Sequence, residues 1–490
     1  MRQFVVVERP DRWPLRREGV EVISARDYLM DPAFAPMKRV RVFNCCRRYG
    51  YQSSGYYVSL LAEARGHRPM PSVATLEDLR LQTLLRLVGE DLDDMIQRLL
   101  RPLKSDRFDL SIYFGRNMAA GYSRLARSLF NQYPAPFLRA SFARTDEWQL
   151  TGIRPIATSE IPDVHRDFVL ERMRDYFRGT QAAPRPAKSY RYDMAILRDP
   201  EEVDSPSDEG AIRRFIKAAE EAGMWAQTIG KEDLGRLAEF DALFIRETTA
   251  VDHHTFRFAR KAEAEGLVVI DDPSSILKCT NKVYQAELFM KHGIAIPKTV
   301  VVDESSAARV LDEIGLPCVI KSPDSSFSRG VHKAETVGEL LTFLDELLEG
   351  SDLAIVQEFL PSSFDWRVGV LGGKALYTCR YHMARKSWKI IVTGPAGHRR
   401  YGKVDTVPLD QAPAKAVDLA VRCARLVGDG LYGVDVKEAD GRFYVMEIND
   451  NPNVDAGYED EDLGEELYRS IISWFVTRLE ERAGGKGVTP

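Results

Sequence analysis

The sequence predicts a protein of mixed α/β and α+β class, and two contrasting patterns predict it. From Asp193 to Asp272, short apolar strands (DMAIL, WAQTI, DALFI, LVVIDD) alternate with amphipathic segments of helical period (EGAIRRFIKAAEEAG, HTFRFARKAEAEG). That alternation specifies a small parallel sheet with helices on its faces. Further along, FDWRVGVLGGKALYTCRYH reads as a hairpin turning at Gly372-Gly373, so this later region is antiparallel and of α+β type.

The elements can be taken in chain order. Residues 40 to 68 form one α/β unit: strand VRVFNCC, polar loop RRYGYQSSG and helix YYVSLLAEARGH. LQTLLRLVGEDLDDMIQRLL (81 to 100) has helical periodicity, FDLSIYFG (108 to 115) reads as a strand, and GYSRLARSLFNQYP (121 to 134) as a helix closed by proline. QAAPRPAKS (181 to 189) is a linker by composition. Beyond the parallel-sheet region, residues 280 to 297 predict a helix with Thr280 as N-cap and Gly293 as stop, and PCVIK (317 to 321) a strand ending in lysine. A serine-rich loop leads from there into helix VGELLTFLDELLEG, and LAIVQEFLP (353 to 361) is a buried strand ended by proline. No internal repeat shows, and the GGKGVTP tail is expected to fray.

Composition bounds the function. A chain of 490 residues with 44% hydrophobic and 29% charged content is an ordinary globular protein of about three domains. No apolar run approaches the roughly 18 residues a membrane span needs, and FVVV (4 to 7) is too short for a signal-peptide core. The six cysteines lack zinc-like or disulfide-framework spacing, so a cytoplasmic protein without a membrane partner is expected. A net charge of -5 argues against a general nucleic-acid binder. Residues 1 to 150 nevertheless hold 24 Lys+Arg against 17 Asp+Glu, an excess of +7 that leaves -12 for the remainder. Either a solvated arginine-rich surface or attraction of an acidic peptide or metabolite accounts for it.

Chemistry is signalled near the end of the chain, where GVDV (433 to 436) precedes FYVMEINDNPN (443 to 453). Asp435, Glu447 and Asn449 lie inside these apolar strands, and burying unpaired carboxylates is prohibitive. Oxygen-only ligands of this kind suit Mg²⁺ better than Zn²⁺, and Mg²⁺ in such sites is usually shared with nucleotide phosphates. Register decides whether the group assembles. A two-residue Asp440-Gly441 loop pairs Asp435 with Met446 and puts Asp435 and Glu447 on opposite faces. A three-residue loop with Gly441 in the left-handed conformation makes them same-face diagonal neighbours about 7–8 Å apart. The bulged, three-residue loop is therefore predicted; the competing reading is an exposed sheet edge with solvated acids.

Phosphoryl chemistry also needs cations around a triphosphate and a seat for a base. Lys282 and Lys321 sit at the edges of regular elements, as phosphate ligands or as snorkelling surface residues. The loop 324 to 331 could close over phosphates, although Gly330 is its only glycine. Walker A, GxGxxG and kinase HRD and DFG sequences are absent.

The order of these pieces resembles the ATP-grasp superfamily, particularly its RimK-like ligases of the ribosomal protein S6 modification and glutathione-synthase type. The resemblance rests on TNK at 280 to 282, VIK at 319 to 321, the loop ending RGV, VQEFL, Asp365-Trp366-Arg367, GVDV and MEIN. Residues 40 to 150 are similar to the RimK-like ATP-grasp N-terminal domain. The implied division is 1–180 for that domain, 190–275 for a pre-ATP-grasp domain, 276–352 for ATP-grasp subdomain A and 353–482 for subdomain B. The resemblance implies that Lys282 and Lys321 bind ATP phosphates under a loop containing Ser328, Arg329 and Gly330. It implies further that Gln357, Glu358, Phe359 and Leu360 hold adenine and that Asp365 meets the ribose. Arg367 and Arg380 would face the γ-phosphate or an acyl phosphate, and Asp435, Glu447 and Asn449 would hold two Mg²⁺ ions, with Mn²⁺ a permitted substitute. NDNPN stands where the family commonly ends N-x-SPG, which places Asn451 and Asn453 in the substrate pocket.

The implied activity is ATP-dependent carboxylate–amine ligation through an acyl phosphate, adding an amino acid to a peptide, protein or small metabolite. The alternative is a catalytically silent nucleotide-binding module acting as an interaction protein through its N-terminal domain; a homo-oligomer fits either. Arg246, directly after DALFI, is a substrate-binding candidate or a surface arginine paired with Glu247. The basic segment 385 to 400 offers Arg385, Lys389 and Arg399 to an acidic acceptor, or is an ordinary charged loop. His382, His398 and the cysteines read as structural or surface.

Overall fold

The computed structural model describes residues 2–15, 20–38, 40–80, 90–178, 190–303, 307–324, 330–385, 387–393 and 399–483. The chain divides into two units, Met1–Ala187 with Glu232–Ala238, and Lys188–Lys231 with Glu239–Pro490. The linker 181 to 189, the first nine residues of the helical segment 81 to 100, and the terminal GGKGVTP lie outside the described residues.

In the first unit, β1 (Arg2–Val7), β2 (Glu21–Ser24), β3 (Val40–Asn44) and β4 (Arg68–Met70) form a parallel sheet of order β2-β1-β3-β4. The strands β5 (Arg107–Tyr113), β6 (Phe137–Arg144) and β7 (Trp148–Pro155) form an antiparallel sheet. Successive side chains of β1 point to opposite faces. Phe4 and Val6 pack with Tyr28, Val58 and Ala62, while Val5 and Val7 join Phe43, Ile112 and Phe137. Burial on both faces is why FVVV reads as a continuous apolar run.

In the second unit, β8 (Tyr192–Leu197), β9 (Met224–Ile229), β10 (Ala242–Ile245) and β11 (Val268–Ile270) form the expected parallel sheet. The next sheet is antiparallel: β12 (Thr299–Val302), β13 (Cys318–Lys321), β14 (Val331–Ala334) and β15 (Ala354–Glu358), in the order β12-β15-β13-β14. The chain then makes β16 (Phe364–Leu371), β17 (Lys374–His382), a separate ribbon of β18 (Ile391–Thr393) and β19 (Arg399–Tyr401), β20 (Val404–Val407), β21 (Leu431–Ala439) and β22 (Arg442–Asn449). Five of these close an antiparallel sheet of order β20-β17-β16-β21-β22. One face of it packs Trp366, Val368 and Val434 against helix Ala414–Val427; the other packs Tyr377, Cys379 and Tyr381 toward helix Glu465–Ala483.

Two expectations are corrected. Thr280 ends helix Pro273–Thr280, and the N-cap of helix Lys282–Lys291 is Asn281, whose side chain accepts from the Tyr284 N–H at 2.9 Å. An internal repeat does exist. The sheets β2-β1-β3-β4 and β9-β8-β10-β11 share one connectivity, and the second halves match at equal spacing. Helix Ser54–Ala64 corresponds to His254–Ala264, β4 to β11, and helix Val73–Arg80 to Pro273–Thr280. The sequence keeps only a short trace of this, Ala62-Glu63-Ala64 with Gly66 against Ala262-Glu263-Ala264 with Gly266. Both glycines have positive φ, 68° and 72°, and close their helices. Among the described residues no helix is long and apolar enough to cross a membrane.

Candidate active site

The acidic group assembles on one face of β16, β21 and β22, by a different route from the one expected. The turn is the two-residue loop, with Asp440 at φ 50° and Gly441 at φ 71°, pairing Ala439 with Arg442. Both central residues are left-handed, as a type I′ hairpin requires. By itself this register would oppose Asp435 to Met446. The strand corrects it with a bulge: Val436 pairs Val445, Asp435 pairs Glu447, and Met446 is the extra residue. Asp435 and Glu447 are thus directly opposite on one face, and Asn449, opposite Gly433, continues it.

Like charges directly opposite in a sheet destabilise it unless something compensates. Here cations do. Arg367, opposite Asp435 in β16, donates from Nε to Oδ1 at 2.5 Å and from its second nitrogen to Oδ2 at 2.9 Å. Burial raises Asp435 to about 6 against the pull of Arg367, with Glu447 raising it further. Burial also opposes ionisation of Glu447, yet Lys282, Lys321 and Arg367 together hold it below the usual glutamate range, and Asn449 hydrogen-bonds it. The donors are hard oxygens, which fits Mg²⁺. On the same face, Asp365 lies two residues before Arg367, bound at 2.7 Å by Lys437, which also reaches the Ser362 hydroxyl at 2.7 Å.

Gly433 is required by close approach. A Cβ there would stand 2.7 Å from Pro452 Cβ and 3.0 Å from Arg367 Cδ. Gly433→Ala is expected to displace Arg367 from Asp435 and to cost about 1–3 kcal/mol, measurable as a lowered denaturation midpoint.

A cleft of about 840 Å³ opens over this face, lined by Lys282, Lys321, Gln357, Glu358, Phe359, Leu360, Asp365, Trp388, Lys389, Asp435, Lys437 and Glu447 among others. Gln357 Oε1 is buried without a hydrogen-bond partner among the described residues, while its amide nitrogen donates to Thr299 Oγ1 at 2.9 Å. Lys321, at the end of β13, is pushed down to about 8 by burial, with Glu447 pulling it back up and Lys282 and Lys437 adding to the depression.

The comparisons with known proteins bear on this cleft and on the first unit alike. A model of the RimK-like ATP-grasp N-terminal domain matches residues 25–172, and one of the RimK-like ATP-grasp domain matches 279–475. The chain belongs to the RimK-like ATP-grasp family. An alpha-aminoadipate–LysW ligase LysX of Sulfurisphaera tokodaii is 28% identical over 214 residues, 42% of this chain and 72% of that protein. A probable alpha-L-glutamate ligase of Rhodopirellula baltica is 25% identical over 264 residues, 50% of this chain and 63% of that one. Among solved structures, a D-alanine–D-alanine ligase of Bacillus anthracis aligns over 60% of this chain and 99% of its own, with 15% identity and a TM-score of 0.48. The chain is thus an ATP-grasp ligase.

Not every candidate of this RimK-like chain comes to the cleft. Arg380 is opposite Trp366, on the other face from Asp435, with its guanidinium 5.6 Å from the Phe364 ring centroid. The expectation that it faces the γ-phosphate is therefore corrected. Arg246 is wholly buried, so it is no surface arginine, and its partners are all protein: Ser207 Oγ at 3.0 Å, Asn451 Oδ1 at 2.6 Å, and the carbonyls of Pro206 at 2.6 Å and Pro452 at 2.8 Å. It clasps a loop, and so does Asn451, whose amide donates to the Glu247 carbonyl at 2.6 Å. Asn453 binds Asp455 at 3.3 Å. Glu358, Phe359 and Leu360 line the cleft, with the Glu358 carboxylate accepting the Lys298 N–H at 2.8 Å and the Phe359 N–H donating to the Pro317 carbonyl at 3.3 Å. Lys389 donates to the Val331 carbonyl, Arg385 is exposed on a turn, and Arg399 lies in β19. Ser328 and Arg329 lie outside the described residues, while Gly330, at φ 57°, is described. His382 is paired with Asp405 at 2.7 Å and the six cysteines are buried and free; His398 is outside the described residues. Lys437 and Trp388 were missed, though Lys437 alternates with Asp435 in GVDVKE and so was readable.

Proposed function

We propose that this ATP-grasp ligase activates a carboxylate with the γ-phosphoryl group of ATP and couples the acyl phosphate to an amine, adding an amino acid to a peptide, protein or small metabolite. The observation that carries the reading is the Asp435–Glu447 pair, opposed on one strand face and framed by cations at the floor of a cleft. Bound Mg²⁺, as two ions or with Mn²⁺ substituting, would neutralise charge developing on the transferred phosphoryl. Asp435, Glu447 and Asn449 would hold it.

The remaining roles follow from chemistry. Lys282 and Lys321 meet the phosphates, Gln357 accepts from the adenine amino group, and Asp365, oriented by Lys437, takes the ribose. Arg367 positions Asp435 and stabilises negative charge on the transferred group. The amine attacks the acyl carbon and phosphate leaves, so no side chain needs to act as nucleophile. The carboxylate and amine are those of small acids and amino acids or a peptide, as the named activities of the relatives suggest. The four-part division at 190, 276 and 353 assigns the nucleotide to the last two parts and acceptor recognition to the earlier ones.

Phosphate release from Mg-ATP, assayed across pools of amino acids and acidic peptides, tests this. Acceptor-dependent release is expected. ATP binding with no release in any pool would favour a silent nucleotide-binding module instead. The depressed Lys321 supplies a pH signature. Its charge is present below about 8 and lost above it, so nucleotide affinity should fall above that value by up to about tenfold per unit. Lys321→Arg stays charged and is expected to flatten the profile, which titration calorimetry at several pH values would show.

A further inference from the structure

The internal repeat gives each parallel sheet a carboxyl edge, where ligands of such sheets collect at the point of strand-order reversal. In the second unit that edge already holds polypeptide. Residues directly after β10 grip the stretch after β22: Arg246 bonds Asn451 and the Pro452 carbonyl, Thr249 Oγ1 donates to Asp450 at 2.8 Å, and the Glu247 carbonyl accepts from Asn451. In the first unit Cys45, whose N–H donates to the Val6 carbonyl as that of Arg246 donates to Leu197, stands in the place of Arg246, and the exposed residues just beyond it are Arg47 and Arg48. Arg9 and Arg12, also exposed, follow the neighbouring β1. The pairing of Val6 with Asn44 and the hydrogen bond from the Arg47 N–H to Glu8 at 2.7 Å bring the two strand ends together.

None of these four guanidinium groups is ion-paired with a carboxylate among the described residues. Beside them, Tyr51 is 61% exposed and contacts Tyr56 with ring centroids 5.2 Å apart. Arginine and tyrosine together are the residues enriched at protein-binding surfaces. The charge excess of residues 1 to 150 is also nearly all arginine, with Lys38 and Lys104 the only lysines. We infer that the carboxyl edge of β1 and β3 docks an extended acidic peptide segment of a partner polypeptide, as the equivalent edge of the second unit docks residues 450 to 452 of this chain. An Asp/Glu-rich strand supplies carboxylates for the arginines, and the tyrosines cover its stem. A net charge of -5 over the whole chain disfavours a nucleic acid as occupant.

The test uses the full chain without nucleotide, so it fails or succeeds independently of the ligase reading. Fluorescence anisotropy would compare a labelled alternating Glu-Ala peptide, its Gln-Ala counterpart and a labelled oligothymidylate. Binding of the Glu-Ala peptide alone is expected. Arg47→Glu with Arg48→Glu, and separately Arg9→Glu with Arg12→Glu, should each weaken it about tenfold or more, with an unchanged circular-dichroism spectrum and denaturation midpoint as proof of folding. Arg→Gln at the same positions gives the same test without charge reversal. Equal binding of both peptides, indifference to all four substitutions, or tighter binding of oligothymidylate through the same arginines would each overturn the proposal.

Discussion

Glu447→Gln is expected to lower acceptor-dependent turnover about a hundredfold to a thousandfold while changing ATP affinity far less. The substitution is nearly isosteric, and it removes one negative charge from a face where Lys282, Lys321 and Arg367 converge. The same cations hold Glu447 ionised below the usual glutamate range, so the neutral residue forfeits some favourable charge pairing, partly offset by relief of the Asp435–Glu447 repulsion, and a modestly lowered denaturation midpoint is the expected companion result. A turnover loss far larger than that modest loss of stability separates metal holding from scaffolding. Wild-type turnover in the variant would remove Glu447 from the metal site and leave the proposed mechanism without its floor.

How much of this site could be read from sequence is settled by two bulges. Residue alternation, which is local, was enough to place Asp435, Glu447 and Asn449 in strands and to read the parallel sheet from its helix spacing. Register is not local. Met446 in β22 is an extra residue that turns Glu447 toward Asp435. In β17, Leu376 is another: Val370 pairs Ala375 but Gly369 pairs Tyr377. Without it, the Gly372-Gly373 turn would set Arg380 opposite Asp365, on the acidic face; with it, Arg380 meets Trp366 on the far side. A one-residue slip reverses every side chain beyond it. Neither Met446 nor Leu376 differs in type from its neighbours, so nothing in the sequence marks either bulge. The same blindness hid the repeat, because packing fixes which positions are buried and leaves residue identity free. Val58 and Phe258, or Leu76 and Ile276, fill equivalent core places with different side chains.

Arg367→Met is expected to be the most damaging single change, costing about 3–5 kcal/mol, because it strands the buried Asp435 carboxylate without its bidentate partner. The loss should appear in chemical denaturation without nucleotide, before any question of catalysis arises. Asp435→Leu alone leaves the opposite fault, an unpaired guanidinium with Tyr381 beneath it at 4.8 Å. Removing both charges is a different matter. A buried ion pair replaced by apolar groups of similar volume is often neutral or stabilising, because neither ion must then be desolvated. Arg367→Met with Asp435→Leu should therefore recover most of the stability and none of the turnover. A double variant as unstable as the single one would mean that the pair contributes more than mutual neutralisation. One that kept turnover would show that neither residue touches the reacting groups. The expected outcome, a restored fold with a dead site, assigns the pair to function, because an apolar contact would hold the strands as well.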